Sequence, residues 1–141
     1  MSSQVSATSR VTTPGRPIVG IVLGVIAVIH IATAYVFYGD SLRSIVDAGV
    51  VASIDKDPAL NNLRSAGFWY LTTGSGLMLI SALITWAEHR DGRVPFFVAW
   101  MLLGMAAWGL VFMPLSGFWA ILVASGLAFL SARRRSPART R

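Results

Sequence analysis

His30 is the one titratable side chain placed deep inside an apolar stretch of this 141-residue chain. It lies twelve residues after Ile18 and eight before Tyr38. On a helix rising 1.5 Å per residue, that depth is roughly 12 Å from the Tyr38 end. An imidazole there has three chemical uses: it relays protons, ligates a cofactor, or gives a polar contact to a ligand. Thr72, Thr73 and Ser75 fall six to nine residues into a second apolar stretch, Ala66–Ala87, at a matching depth. Trp108, in a third stretch, stands at the same outer level. Converging, these five side chains would line a candidate polar site for a ligand. The plainer expectation is a His30 ring hydrogen-bonded to a hydroxyl or carbonyl of another helix. Hydroxyls in membrane helices commonly bond their own backbone or a neighbouring helix. Aromatic residues at that level commonly form a headgroup belt.

Several chemistries are excluded. The chain has no cysteine, which removes disulfides, thiolate metal sites and dithiol relays. No Asp, Glu, Lys or Arg lies within any of the four apolar stretches, so there is no intramembrane carboxylate for coupled proton transport. Bis-histidine haem needs a second imidazole at the depth of His30, and His89 lies roughly 20 Å lower. Asp55 and Asp57 lack the rest of an EF-hand pattern and read as solvated capping acids. No catalytic residue, metal site or cofactor is assigned.

The elements that must position these residues are four apolar spans: Ile18–Tyr38, Ala66–Ala87, Pro95–Met113 and Ser116–Ala132. About 20 helical residues cross a hydrocarbon core, and the fourth span is marginal alone. The expected fold is an all-α membrane protein, a four-transmembrane-helix bundle. Net charge is +6, and its placement is a topology signal. Arg10, Arg16, Arg90, Arg93 and the five arginines after Ala132 lie on one side, against Arg43, Lys56 and Arg64 among four aspartates in the loop 39–65. Basic residues favour the cytoplasmic face. The expectation is therefore a multi-pass inner-membrane protein with both termini cytoplasmic, and no nucleic-acid partner. Arg133, Arg134 and Arg135 should anchor the tail 133–141 to anionic lipid headgroups.

Residues 1–17, rich in Ser and Thr with Pro14, Gly15 and Pro17, read as a disordered tail. The first span also fits a signal peptide, with Ala32-Thr33-Ala34 as a small-x-small cleavage site. Its apolar length and His30 favour a retained helix. Gly20 and Gly24 have the spacing of a helix-packing motif. In the outer loop, Leu42, Ile45, Val46, Gly49 and Val50 trace an amphipathic stripe, predicting a short surface helix near Ser41–Val51 capped by Asp40 or Ser41. Asp57-Pro58 reads as a second helical start. Residues 67–82 (GFWYLTTGSGLMLISA) and 117–132 (GFWAILVASGLAFLSA) agree at eight of sixteen positions, an internal echo of two parallel two-helix units.

The G…H of span one, the GFW opening span two and MPLSGFW at Met113–Trp119 carry a resemblance. Over residues 18–132 the chain resembles small bacterial four-helix membrane proteins known only as a domain of unknown function. That resemblance implies four spans and supplies no functional residues.

These readings point first to a non-catalytic structural or accessory membrane component. The alternative is a binding protein or enzyme for a small apolar molecule, a quinone or lipid, in an outer-half pocket near His30. A small oligomeric transporter is the weaker third. Expected partners are the bilayer and either a second copy or another membrane protein.

Overall fold

A computed structural model describes residues 16–133, and among them it contains five α-helices and no strand. They are α1 (Ile18–Phe37), α2 (Gly39–Asp47), α3 (Asn61–Asp91), α4 (Phe96–Phe112) and α5 (Phe118–Ala132). Residues 1–15 and 134–141, which include the expected tail and Arg134 and Arg135, lie outside the described residues.

The breakers decide the boundaries. Pro17 precedes α1, where its missing N–H is no loss. Gly92, at φ 69, ends α3 in the left-handed conformation that a glycine adopts without strain. Pro95 precedes α4 and Pro114 follows it. These stops leave α4 with 17 residues and α5 with 15. By length and composition only α1 and α3 among the described helices are long and apolar enough to cross a membrane.

Two elements differ from expectation. α3 runs through Glu88–Asp91, beyond the expected end of the second span at Ala87. α2 begins earlier than Ser41 and stops at Asp47, because Gly49 at φ 90 and Val50 at φ 64 turn the chain out of helix. Neither Asp40 nor Ser41 caps it. Ser41 is buried and donates instead to the Leu63 carbonyl of α3 at 2.6 Å.

The helices do not close into a bundle. α1 packs on α3, α5 packs on α4, and α1 also touches α5, giving the row α3–α1–α5–α4. Among the helices, α4 comes within 8 Å, Cα to Cα, of α5 alone. Neighbours in the row are antiparallel: Glu88 meets the start of α1, and Val94 meets Ser131 at the end of α5.

The α1–α3 seam is built from small residues at seven-residue spacing. Gly20, Ala27 and Ala34 of α1 are buried, as are Gly67, Gly74 and Ser81 of α3. A Cβ on Gly20 would stand 2.6 Å from the Thr85 backbone nitrogen, and one on Gly74 2.7 Å from Ile31 Cγ1. The Gly20/Gly24 motif thus joins α1 to α3 within one chain. A seven-residue repeat keeps such a seam in contact along its length. The larger core side chains, Val19, Leu23, Ile84, Leu102 and Ile121, gather where the two hairpins meet.

Candidate functional site

His30 sits on the α1–α3 seam beside Gly74, where a Cβ would come 3.0 Å from its ring. The missing side chain lets the imidazole lie against α3. Its Nε2 is 3.2 Å from the Tyr70 carbonyl oxygen. A carbonyl only accepts, so Nε2 carries the hydrogen and donates it. The imidazole stacks on the Tyr70 ring, with centroids 4.0 Å apart and planes 11° apart. The Tyr38 ring lies 4.7 Å from the Tyr70 ring, tilted by 35°.

Thr33 closes the cluster. Its hydroxyl donates to the His30 carbonyl at 2.8 Å, one turn back in α1. Its oxygen is then the acceptor for the Tyr70 hydroxyl at 3.0 Å. His30 and Tyr70 are therefore joined three ways: ring on ring, ring nitrogen to backbone, and phenol to backbone through Thr33. The arrangement fixes one imidazole orientation and clamps the C-terminal half of α1 to α3.

The other expected site residues lie elsewhere. Thr72, Thr73 and Ser75 are exposed on α3. Thr73 donates to the Trp69 carbonyl at 2.8 Å and Ser75 to the Leu71 carbonyl at 3.1 Å, both within α3. Trp108 is 71% exposed on α4, a helix that does not reach α1 or α3. The structure joins His30 to Tyr70 and Thr33 and leaves Thr72, Thr73, Ser75 and Trp108 apart from it. Arg133, the residue after α5, is exposed.

Glu88, Arg64 and Ser125 are among the buried polar groups that escaped the sequence reading. Glu88, 3% exposed, accepts hydrogen bonds from the Val19 and Gly20 amides. The signal for it was present: Gly67, Gly74, Ser81 and Glu88 recur every seven residues on one face of α3. Arg64, 6% exposed, donates to Ser44 Oγ at 2.9 Å and to the Ser53 carbonyl at 2.6 Å, fastening α2 and the loop after it to α3. Ser125 of α5 donates across to the Ala99 carbonyl of α4 at 3.0 Å. A shallow groove of about 330 Å³ runs between α1 and α5, lined by Ile21, Val22, Val25, Ile26, Ala120 and Val123. His30 is not part of that wall.

The MPLSGFW segment locks the last turn. Ser116 donates to the Met113 carbonyl at 2.5 Å, Trp119 Nε1 to the Pro114 carbonyl at 2.8 Å, and the Phe118 ring lies on Gly109.

Fold and site define a small protein of apolar α-helices that meet along small-residue seams and are tied together by side-chain bonds to backbone. The chain matches the family described as "Family of unknown function (DUF6463)" over residues 15–135, and it belongs to that family. The resemblance to a domain of unknown function drawn from the sequence is correct. No curated protein and no solved structure matches the chain.

Proposed function

We propose that this protein is a four-span membrane component with a non-catalytic structural or accessory role. The observation that carries the reading is where the deep polar side chains send their hydrogen bonds. His30 donates to Tyr70 O, Ser81 to Gly20 O and Ser125 to Ala99 O. Each bond runs from a side chain to the backbone of a neighbouring helix, so the polar groups hold helices together. In lipid, where water offers no competing partner, such bonds contribute about 0.6–2 kcal/mol each.

The membrane setting is supported by what the row exposes. Ile21, Val25, Leu79, Met101, Val111 and Leu130 are all largely exposed. Monomeric soluble proteins rarely leave contiguous apolar surface on this scale. The 17 residues of α4 make about 25 Å of helix at 1.5 Å per residue, close to a hydrocarbon core once the turn 113–117 is added. Trp69, Trp108 and Trp119 at one end and Trp86 and Trp100 at the other suit the two interfaces. The distribution of basic residues favours cytoplasmic termini, and Arg133, Arg134 and Arg135 are the headgroup anchors this reading expects. The quinone or lipid reading needs His30 in the wall of a cavity. The α1–α5 groove is apolar and lies off His30, which favours the accessory reading.

The test is single cysteines at Ser2, Asp47 and Ser136, labelled from outside intact cells. Labelling at position 47 alone is expected. Labelling at 2 or 136 overturns the orientation, and recovery of the chain in the soluble fraction overturns the membrane reading. Native mass spectrometry of the gently extracted protein then tests the accessory role. A stoichiometric bound quinone would replace it with the ligand-binding one.

A further inference from the structure

We infer that the exposed face of α3 formed by Phe68, Thr72, Ser75 and Leu79 docks α4 of a second copy of this chain. The argument begins with the internal echo, which aligns α3 with α5 at an offset of 50 residues. Both helices pack on α1, and they do so with aligned positions. Tyr70 of α3 stacks on His30, and its counterpart Ala120 lines the α1–α5 groove.

α5 then uses a second face, and α3 does not. Phe118 lies on Gly109 of α4, Ser125 donates to the Ala99 carbonyl, and Phe129 packs edge-on to Phe96 and Trp100 at 5.4 and 5.1 Å. The aligned residues of α3 are Phe68, Ser75 and Leu79, with Thr72 between them at the position of Leu122. All four are exposed. Ser75, which matches the cross-helix donor Ser125, turns back onto Leu71 of its own helix. α3 therefore carries the face that binds a helix in the second hairpin, and among the described residues no helix covers it.

The direction of the row identifies the occupant. Helices alternate along α3–α1–α5–α4, so the helix covering α3 must run as α1 and α4 do. α1 is already flanked by α3 and α5, whereas α4 is terminal in the row. Its far side carries Phe97, Gly104, Trp108 and Val111, all exposed, and Gly104 faces open space. Neither surface bears a charge, and the glycine admits close approach of the kind that seats membrane helices. α4 of one copy against α3 of the next continues the alternation. The contact joins two different surfaces, so it is heterologous and closes as a ring of copies, or as a dimer if it forms twice. Side-by-side copies at one depth rest on the membrane reading proposed above.

The chain's lack of cysteine gives a clean test in membranes from expressing cells. Ser75→Cys combined with Gly104→Cys or with Trp108→Cys should yield covalent dimers and higher species on oxidation. Each single variant should stay monomeric, because the proposed contact sets α3 against α4 and leaves a lone cysteine facing no thiol; α3 and α4 of one chain do not touch, so the pairs cannot close within a chain. Moving the α3 cysteine to a neighbouring face, Ile80→Cys with Gly104→Cys, should abolish the product. A dimer from Ser75→Cys alone means that α3 meets α3, and overturns the inference. Monomers from every pair, or adducts with other proteins only, overturn it as well. Alkaline carbonate extraction of the same membranes reports separately on the membrane reading: a retained chain without cross-links defeats this inference alone.

Discussion

Glu88 caps the first helix from the far end of the third. Its Oε2 accepts from the Gly20 amide at 2.9 Å and its Oε1 from the Val19 amide at 3.3 Å. The first turn of a helix has amides without intrahelical partners and a partial positive charge. Pro17 supplies no side-chain cap to α1. A carboxylate 68 residues later in the chain does so instead. This one contact ends the seam of Gly67, Gly74 and Ser81 with a polar bolt.

Replacing Glu88 should therefore weaken the α1–α3 pair more than its position at a helix end implies. Glu88→Ala leaves two buried amides unpaired, a loss of about 2–3 kcal/mol. Glu88→Gln keeps one acceptor oxygen and should lose about half of that. Unfolding of the detergent-solubilised protein, followed by circular dichroism, measures both. Equal stability of Glu88→Ala and the parent would show that the cap contributes nothing.

Gly74 and Gly76 make a matched pair. A Cβ at Gly74 would stand 2.7 Å from Ile31 Cγ1, whereas one at Gly76 meets nothing within 4 Å. Gly74→Val should force α1 and α3 apart and destabilise by about 2–3 kcal/mol. Gly76→Ala should stabilise by about 0.5–1 kcal/mol through helix propensity alone. The two midpoints in one thermal series should move in opposite directions.

His30 holds the outer seam through its ring as much as through its nitrogen. The Tyr70 carbonyl lies mid-helix and keeps its own helical bond when the imidazole is removed. His30→Phe retains a stacking partner for Tyr70, worth about 0.5–1.5 kcal/mol, and should be more stable than His30→Leu by that amount. His30→Gln should fall between them. Reversal of the Phe and Leu order would mean that stacking is incidental.

Arg64 governs the outer loop. Val50 and Ala52 hold φ of 64° and 54°, a left-handed conformation costly for both residues and most of all for β-branched valine. The loop is held there by Arg64 reaching Ser53 O. Arg64→Met should release it by about 1–3 kcal/mol, speeding proteolysis and amide exchange around 48–54 while the helices stay protected. Arg64→Lys should give a similar result, since an ammonium cannot reach Ser44 and Ser53 in the guanidinium's fork geometry.

The echo between residues 67–82 and 117–132 shows how one motif acquires two roles. Gly67 is buried under Ser41, while its counterpart Gly117 stands in the open at the start of α5. Ser75 is exposed and Ser125 is buried against α4. Identical residues differ because their surroundings do.

Local chemistry determined by itself what the sequence made legible: the positions of the long apolar helices, the prolines and glycine that end them, and the small residues of the α1–α3 seam. These depend on near neighbours in the chain, and so periodicity and breakers reveal them. The length of α2 was misjudged because an apolar stripe continues through residues whose backbone turns left-handed. Only the tertiary structure decided which faces meet. Helices apolar all round carry no directional pattern, so the row α3–α1–α5–α4 was as compatible with the sequence as a closed bundle. The same freedom hid the partner of His30, since Thr72 and Tyr70 lie at nearly one depth and only the rotation of α3 selects between them. Glu88, one residue past the apolar span Ala66–Ala87, shows nothing of its burial until α1 lies beside it. Burial of a charge is a property of two segments together, and neither one declares it alone.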